Sequence, residues 1–331
     1  MADEATDRRE VVVITGASAG LGRATARRFA SAGARVGLIA RGADRLERAT
    51  EEISNLGGTA IAVEADVASR EQVEAAADRI ENELGPIDVW VNNAAVTVFG
   101  QASAIRTDEF ERITDVNYLG AVWGTLAAVG RMTPRGRGRI IQVCSSQAIR
   151  GLPLESAFAG ASHALRGFTD SIRAELNHGR TGVRVSTVIV PALNTPRYQW
   201  SRNHTGRAVE PSNLYEPEVA AQAIHWMARH DRRELALGWE TLGTAVADHL
   251  LPEALDAWFA GPGHDARLAG PVPDGEQKDN LFESVEGNFA AHGALGARAA
   301  KSNTQLLASQ HRGLVLGGLG LLAILALLKR R

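Results

Sequence analysis

The residues best suited to chemistry are three glycines in the stretch Thr15-Gly16-Ala17-Ser18-Ala19-Gly20-Leu21-Gly22. Glycines at 16, 20 and 22 let the chain turn tightly and let its backbone approach a pyrophosphate. An apolar run, Val11–Thr15, precedes them, and a segment of helical period begins at Leu21. The turn therefore opens a helix whose free N–H groups and positive dipole end face the phosphates. On this reading Gly16, Ser18, Gly20, Leu21 and Gly22 cradle a dinucleotide; without the flanking strand and helix the triplet would be only a turn. The second apolar run ends at Ala40-Arg41. An NAD site often places an acidic residue there for the ribose hydroxyls, whereas arginine suits a 2′-phosphate. NADP(H) is expected ahead of NAD(H).

The elements that must position these residues follow from hydrophobic periodicity. Val11–Thr15, Arg35–Ala40, Thr59–Glu64, Val89–Val91, Arg139–Val143, Val183–Val190 and Leu235–Gly238 are expected as buried strands. Leu21–Ala32, Asp44–Leu56, Arg70–Leu84, Thr107–Arg131, Ser156–His178 and Glu216–His230 carry apolar residues three and four apart and are expected as helices packed on a sheet. Their alternation implies an α/β fold: a Rossmann-type doubly wound parallel sheet of about seven strands with helices on both faces. Residues 8–260 form the dinucleotide-binding and catalytic domain. Residues 261–312 form a polar extension containing Gly, Pro and Asp, and Gly313–Leu328 is a run of sixteen residues with no polar side chain, bounded by Arg312 and Lys329. As a helix this run is ~24 Å long against a hydrocarbon core of ~30 Å. It is expected to associate with a membrane or to seat in a protein groove.

Composition narrows the class. The 36 basic and 38 acidic residues of the 331 are evenly mixed and give a net charge of −2, which argues against a nucleic-acid partner. Cys144 is the only cysteine, so no intramolecular disulfide can form, and Met1–Glu10 lacks an apolar secretory core. A cytoplasmic protein, attached to the membrane only through 313–328, is expected, with no metal. Lysine occurs only at 278, 301 and 329.

From about residue 8 to 260 the chain resembles the short-chain dehydrogenase/reductase family. The glycine motif has the family's Thr-Gly-x-x-x-Gly-x-Gly form. Asp66-Val67 matches the pair that contacts adenine, and Asn92-Asn93-Ala94-Ala95 matches the family's Asn-Asn-Ala-Gly with Ala95 in the last place. Asn117 and Ser145 fall at the active-site Asn and the substrate-polarising Ser. Pro191 and Thr195 resemble the segment that flanks the nicotinamide. The resemblance implies a cofactor site that includes Asp66, Val67, Asn93, Pro191 and Thr195, a small-molecule substrate and a homo-oligomer, dimer or tetramer.

One departure is decisive. The family's Tyr, thirteen residues after the Ser, and its Lys, four further on, correspond to Phe158 and Ser162. Residues four apart share a helical face, so that pair normally converges on the carbonyl and the ribose. The ammonium lowers the phenol's pKa, and the phenol moves the proton. Phe158 keeps the ring without the proton, Ser162 is short and uncharged, and residues 1–277 hold no lysine. Tyr198, His204, Tyr118 and His163 are the inventory of substitutes, each more naturally a loop or packing residue. The expectation is an NADP-dependent oxidoreductase with an impaired or water-mediated relay, acting on a small apolar or aromatic carbonyl, alcohol or imine-like substrate. The alternative is a catalytically silent dinucleotide-binding partner or membrane-tethered scaffold.

Overall fold

The computed structural model describes residues 9–211, 213–271, 278–287 and 289–312. Seven strands form one parallel sheet: β1 (Val11–Thr15), β2 (Arg35–Ala40), β3 (Thr59–Glu64), β4 (Val89–Asn92), β5 (Gly138–Ser145), β6 (Val183–Val190) and β7 (Glu234–Ala236). Their spatial order is β7-β6-β5-β4-β1-β2-β3. Chain direction across the sheet reverses between β1 and β4, so a crevice opens at the carboxyl ends of those strands, where doubly wound folds bind ligands. Both faces are covered, which is why β1 is buried at every residue.

Helices α1 (Gly20–Ser31), α2 (Ala43–Asn55) and α3 (Arg70–Leu84) sit close to their expected bounds. The long helix expected over Thr107–Arg131 is divided instead into α4 (Thr107–Thr114) and α5 (Gly120–Met132), joined by a π-helical turn at Asp115–Leu119. That turn contains Asn117, and such insertions recur at functional sites because they re-aim a side chain. Helix α6 (Ser156–His178) is continuous. After it come α7 (Arg197–Trp200), α8 (Pro217–Met227), α9 (Trp239–Leu250), α10 (Pro252–Ala260), α11 (Pro262–Asp265) and α12 (Thr304–Gln310).

The extension does not hang free of the domain. Leu281 and Ala291 are fully buried in the two main apolar clusters, and Val285 and Phe289 pack with Ala19 and Trp200. Residues 279–287 and 289–293 thus lie as a strap across the crevice face. The apolar run 313–328 lies outside the described residues. Among those described, no helix is long and apolar enough to cross a membrane.

Candidate active site

Backbone conformation shapes the glycine-rich cradle between β1 and α1. Gly16 has φ +67°, and a Cβ there would lie 2.8 Å from Ala94 Cα; a Cβ on Gly22 would lie 2.2 Å from Gly16 O. Any side chain at either position would close the turn. The loop after β4 is fastened to the end of β1: Asn93 Nδ2 donates to Thr15 O (2.9 Å), and the Asn93 and Ala94 N–H groups donate to Thr15 Oγ1 (2.9 and 3.1 Å). One cleft of about 240 Å³ runs from this cradle to the far side of β5. Its walls include Gly16, Ser18, Gly20, Leu21, Arg41, Asp66, Val67, Asn93, Ser145, Phe158, Pro191 and Thr195. Most residues singled out in the sequence are therefore brought to one cavity; Gly22, Asn117 and Ser162 do not line it.

Asn117 supports the cleft rather than lining it. Its Oδ1 accepts from Val96 N–H (2.8 Å) and its Nδ2 donates to Val96 O (2.9 Å). It borders a smaller cavity of about 30 Å³ shared with Ser145, Phe158 and Ser162. A pocket of that size has room for one water, and although most of its wall is apolar, Asn117, Ser145 and Ser162 supply polar groups at its edge. Ser145 Oγ accepts from Gln147 N–H (3.2 Å), which leaves its hydroxyl proton available. Ser162 donates to Phe158 O (2.8 Å), a bond within its own helix turn.

The Phe158 ring is capped by charge that sequence reading did not find. The Arg197 guanidinium lies 4.2 Å from the ring centroid. It pairs with Glu155, a buried carboxylate that also holds Arg267 from the extension and accepts from Gln147 Nε2 (2.9 Å). Burial opposes ionisation of Glu155, but Arg197 and Arg267 outweigh it and hold the carboxyl below its usual range. The trio carries one net positive charge. No local periodicity marks it, since Glu155 and Arg267 are 112 residues apart.

Of the possible substitutes, Tyr198 alone lines the cleft, stacked on Phe99 at 6.2 Å between ring centroids. Burial pushes its phenol pKa up, the wrong direction for a ready proton donor. His204 instead meets the Glu109 carboxylate at 2.9 Å, Tyr118 packs edge-on against Phe168, and the His163 ring nitrogen faces Ala159 O in its own helix.

At the opposite end the strap crosses the cradle. Gly20 N–H donates to Ala290 O (3.0 Å), and Arg23 donates to Phe289 O (3.5 Å). Arg41 donates to the carbonyls of Asn280, Leu281 (3.1 Å) and Phe282 (2.8 Å). Burial, reinforced by Arg112, lowers the Arg41 pKa to about 10. Asp66 is paired with Arg112 at 2.6 Å, and Arg112 also donates to Leu281 O (3.0 Å). Arg45, which the sequence did not single out, lines the same end. Away from the cleft, Glu216, Glu218 and His292 bring one ligating atom each within 4.8 Å, and Arg27 pairs with Glu218.

A glycine cradle at the switch point of a seven-stranded parallel sheet, with a serine at the end of β5 facing a long helix, defines a short-chain dehydrogenase. The family model for short chain dehydrogenase matches residues 10–205, and the chain belongs to that family. It is 38% identical to the uncharacterized oxidoreductase YxnA of Bacillus subtilis over 75% of this chain and 70% of that one. It is 36% identical to dehydrogenase/reductase SDR family member 7B of Bos taurus, over 56% of this chain but only 58% of that protein. Among solved structures, a metagenomic short-chain oxidoreductase in complex with NADP matches at 27% identity with TM-score 0.59, covering 69% of this chain and 96% of its own. An alcohol dehydrogenase from Thermococcus sibiricus complexed with 5-hydroxy-NADP matches at 27% identity with TM-score 0.61, over the same shares.

Proposed function

We propose that this chain is an oxidoreductase that binds NADP(H) in the cleft and acts on a small apolar or aromatic carbonyl, alcohol or imine-like substrate, with an impaired proton relay. The observation that carries the reading is the pairing of an intact cradle with a Phe158 ring that bears no proton and is covered by the Arg197 cation. Gly16, Ser18 and Asn93, which line the cleft, would hold the dinucleotide; Arg41 and Arg45 at the adenosine end, and the neighbours complexed with NADP and 5-hydroxy-NADP, support NADP(H) over NAD(H).

The bound nicotinamide supplies or accepts hydride. Ser145 is left to polarise a substrate oxygen or nitrogen through its hydroxyl proton. Phe158 gives an apolar wall, and the net positive charge of the Arg197–Glu155–Arg267 trio disperses developing negative charge. A water in the small cavity beside Ser162 and Ser145 would deliver the proton slowly. Substrates that develop little oxyanion charge, such as imines and conjugated systems, fit this arrangement best. The residues exposed along α9 and α10, among them Trp239, Val246, Leu250 and Trp258, support self-association, and with 313–328 a membrane contact of a cytoplasmic protein.

The test is titration of the purified full chain with NADPH and NADH by fluorescence, followed by turnover assays on ketones, imines and enones. Binding with turnover confined to imines or enones supports the proposal. Binding without turnover favours a silent dinucleotide-binding subunit. Fast ketone reduction that is abolished in Tyr198→Phe transfers the proton-donor role to Tyr198.

A further inference from the structure

At the Ser145 end of the cleft two arginines share one carboxylate, and only one of them is needed to balance it. Arg267 donates to Glu155 and to Pro153 O (2.9 Å), so it serves as counter-ion and fastens the extension. Arg197 is the surplus cation. Its Nη2 meets Glu155, but its Nε is enclosed with no acceptor, and among the described residues no hydrogen bond or ion pair reaches its Nη1. The guanidinium lies against three rings, 4.2 Å from the Phe158 centroid, 5.7 Å from that of Phe99 and 5.8 Å from that of Tyr198. Ring faces attract a cation without neutralising it. Arg197, Tyr198 and Ser145 line the same cleft, and Phe158 borders both that cleft and the small cavity beside Ser145. A half-buried guanidinium with unused donors is stabilised by an anion, and its planar fork matches a carboxylate.

We infer that Arg197 is a specificity-determining residue that holds a carboxylate of the substrate, so that the substrate is a small carbonyl or imine-like acid rather than a neutral compound. This deepens the oxidoreductase reading of the cleft and rests on it. One surplus positive charge matches a monoanion, whereas a phosphate dianion would keep a negative charge uncompensated. The rings of Phe99, Phe158 and Tyr198 wall in an apolar or aromatic body. Ser145, which shares the cleft, is left for the reacting oxygen or nitrogen. Glu155 then has a second use: it fixes one edge of the Arg197 fork and leaves the rest for the ligand.

The experiment titrates the full chain, saturated with NADPH, with phenylacetate, phenylacetamide and acetate by calorimetry, in wild type, Arg197→Gln and Arg197→Lys. Wild type should bind phenylacetate at least about tenfold tighter than the uncharged amide, because charge-assisted hydrogen bonds are the stronger ones. Losing them predicts about 10- to 100-fold weaker phenylacetate binding in Arg197→Gln, with phenylacetamide changed less than about threefold. Arg267 still balances Glu155 in that variant, so the melting temperature should stay near wild type. Arg197→Lys keeps the charge without the fork and should fall between the two. If the glutamine variant does not fold, a loss of about threefold or more in Arg197→Lys supports the assignment and a smaller one overturns it. Equal binding of acid and amide by wild type, or acid binding untouched in the variants, overturns it as well. Acetate that binds as tightly as phenylacetate leaves no role for the aromatic wall and overturns the substrate class. Failure of the underlying reading looks different: wild type that binds no NADPH refutes the cleft as a dinucleotide site, and this inference with it.

Discussion

Placing a tyrosine at Phe158 and a lysine at Ser162 is the sharpest perturbation of the proposed function. Phe158→Tyr places a phenol in the cleft, and Ser162→Lys places an ammonium one turn further along α6, beside the small cavity shared with Ser145 and Asn117. A general acid is worth ~10²–10⁴-fold in rate, or about 2.7–5.4 kcal/mol of barrier. The phenol alone should recover only part of this. A unit charge ~5 Å away at an effective dielectric of ~20 contributes about 3.3 kcal/mol, or ~2.4 pKa units. Arg197 stands at such a range, 4.2 Å from the ring centroid, but Glu155 sits on the same guanidinium and cancels much of its field. The single Phe158→Tyr variant is therefore expected to gain about tenfold at most, and the double variant at least tenfold beyond that. Ser162 is buried, and enlarging it should cost about 1–3 kcal/mol of stability. The melting temperature and NADPH binding are measured first; ketone reduction is then followed by loss of the reduced-nicotinamide absorbance. A folded double variant that binds NADPH yet reduces ketones no faster than wild type refutes the argument, because the cleft would then be incompetent for another reason.

Three further outcomes are expected. Glu155→Gln leaves Arg197 and Arg267 facing each other without a counter-charge, at a cost of about 3–5 kcal/mol in chemical denaturation. Because the folded state holds this carboxyl below its usual range, the stability it gives is present above about pH 4.3 and is lost as pH falls through the folded value. The variant should show a flatter acid limb. His225, buried edge-on against Phe29 with Nε2 unpartnered, has its pKa pushed down to about 4 by burial and then by Arg229 and Arg28. Below about pH 6.5 the unfolded chain takes a proton that the native ring refuses, so stability should decline from there to about pH 4. Urea unfolding of His225→Phe across that range should lack the decline, and an unchanged slope would count against it. Burial, with Glu234 nearby, pushes the Cys144 thiol up to about 12, so a thiol reagent should label the native protein only as fast as it unfolds. Immediate labelling would show that β5 opens locally.

Much of the architecture was legible because its causes are local. The strand bounds Val11–Thr15, Arg35–Ala40 and Val183–Val190 coincide with the observed strands, since continuous apolar runs are satisfied inside a covered sheet; Thr59–Glu64 has the expected bounds too, but as the edge strand it is only partly buried, not buried as its sequence suggested. The division of Thr107–Arg131 at Asp115–Leu119 was not legible, because a π-turn keeps helical periodicity while shifting its phase.

By itself the sequence determined the parallel α/β fold, the glycine-rich turn between β1 and α1, and Phe158 and Ser162 one turn apart on α6, since each depends on residue type at short, fixed spacing. Tertiary structure alone decided how the two ends of the cleft are charged. Arg41 meets Leu281 across 240 residues, and Glu155 meets Arg197 and Arg267 across 42 and 112. Coulomb and hydrogen-bond energies depend on distance in space, and nothing in the spacing of a chain records which of its many arginines a fold will leave without a partner.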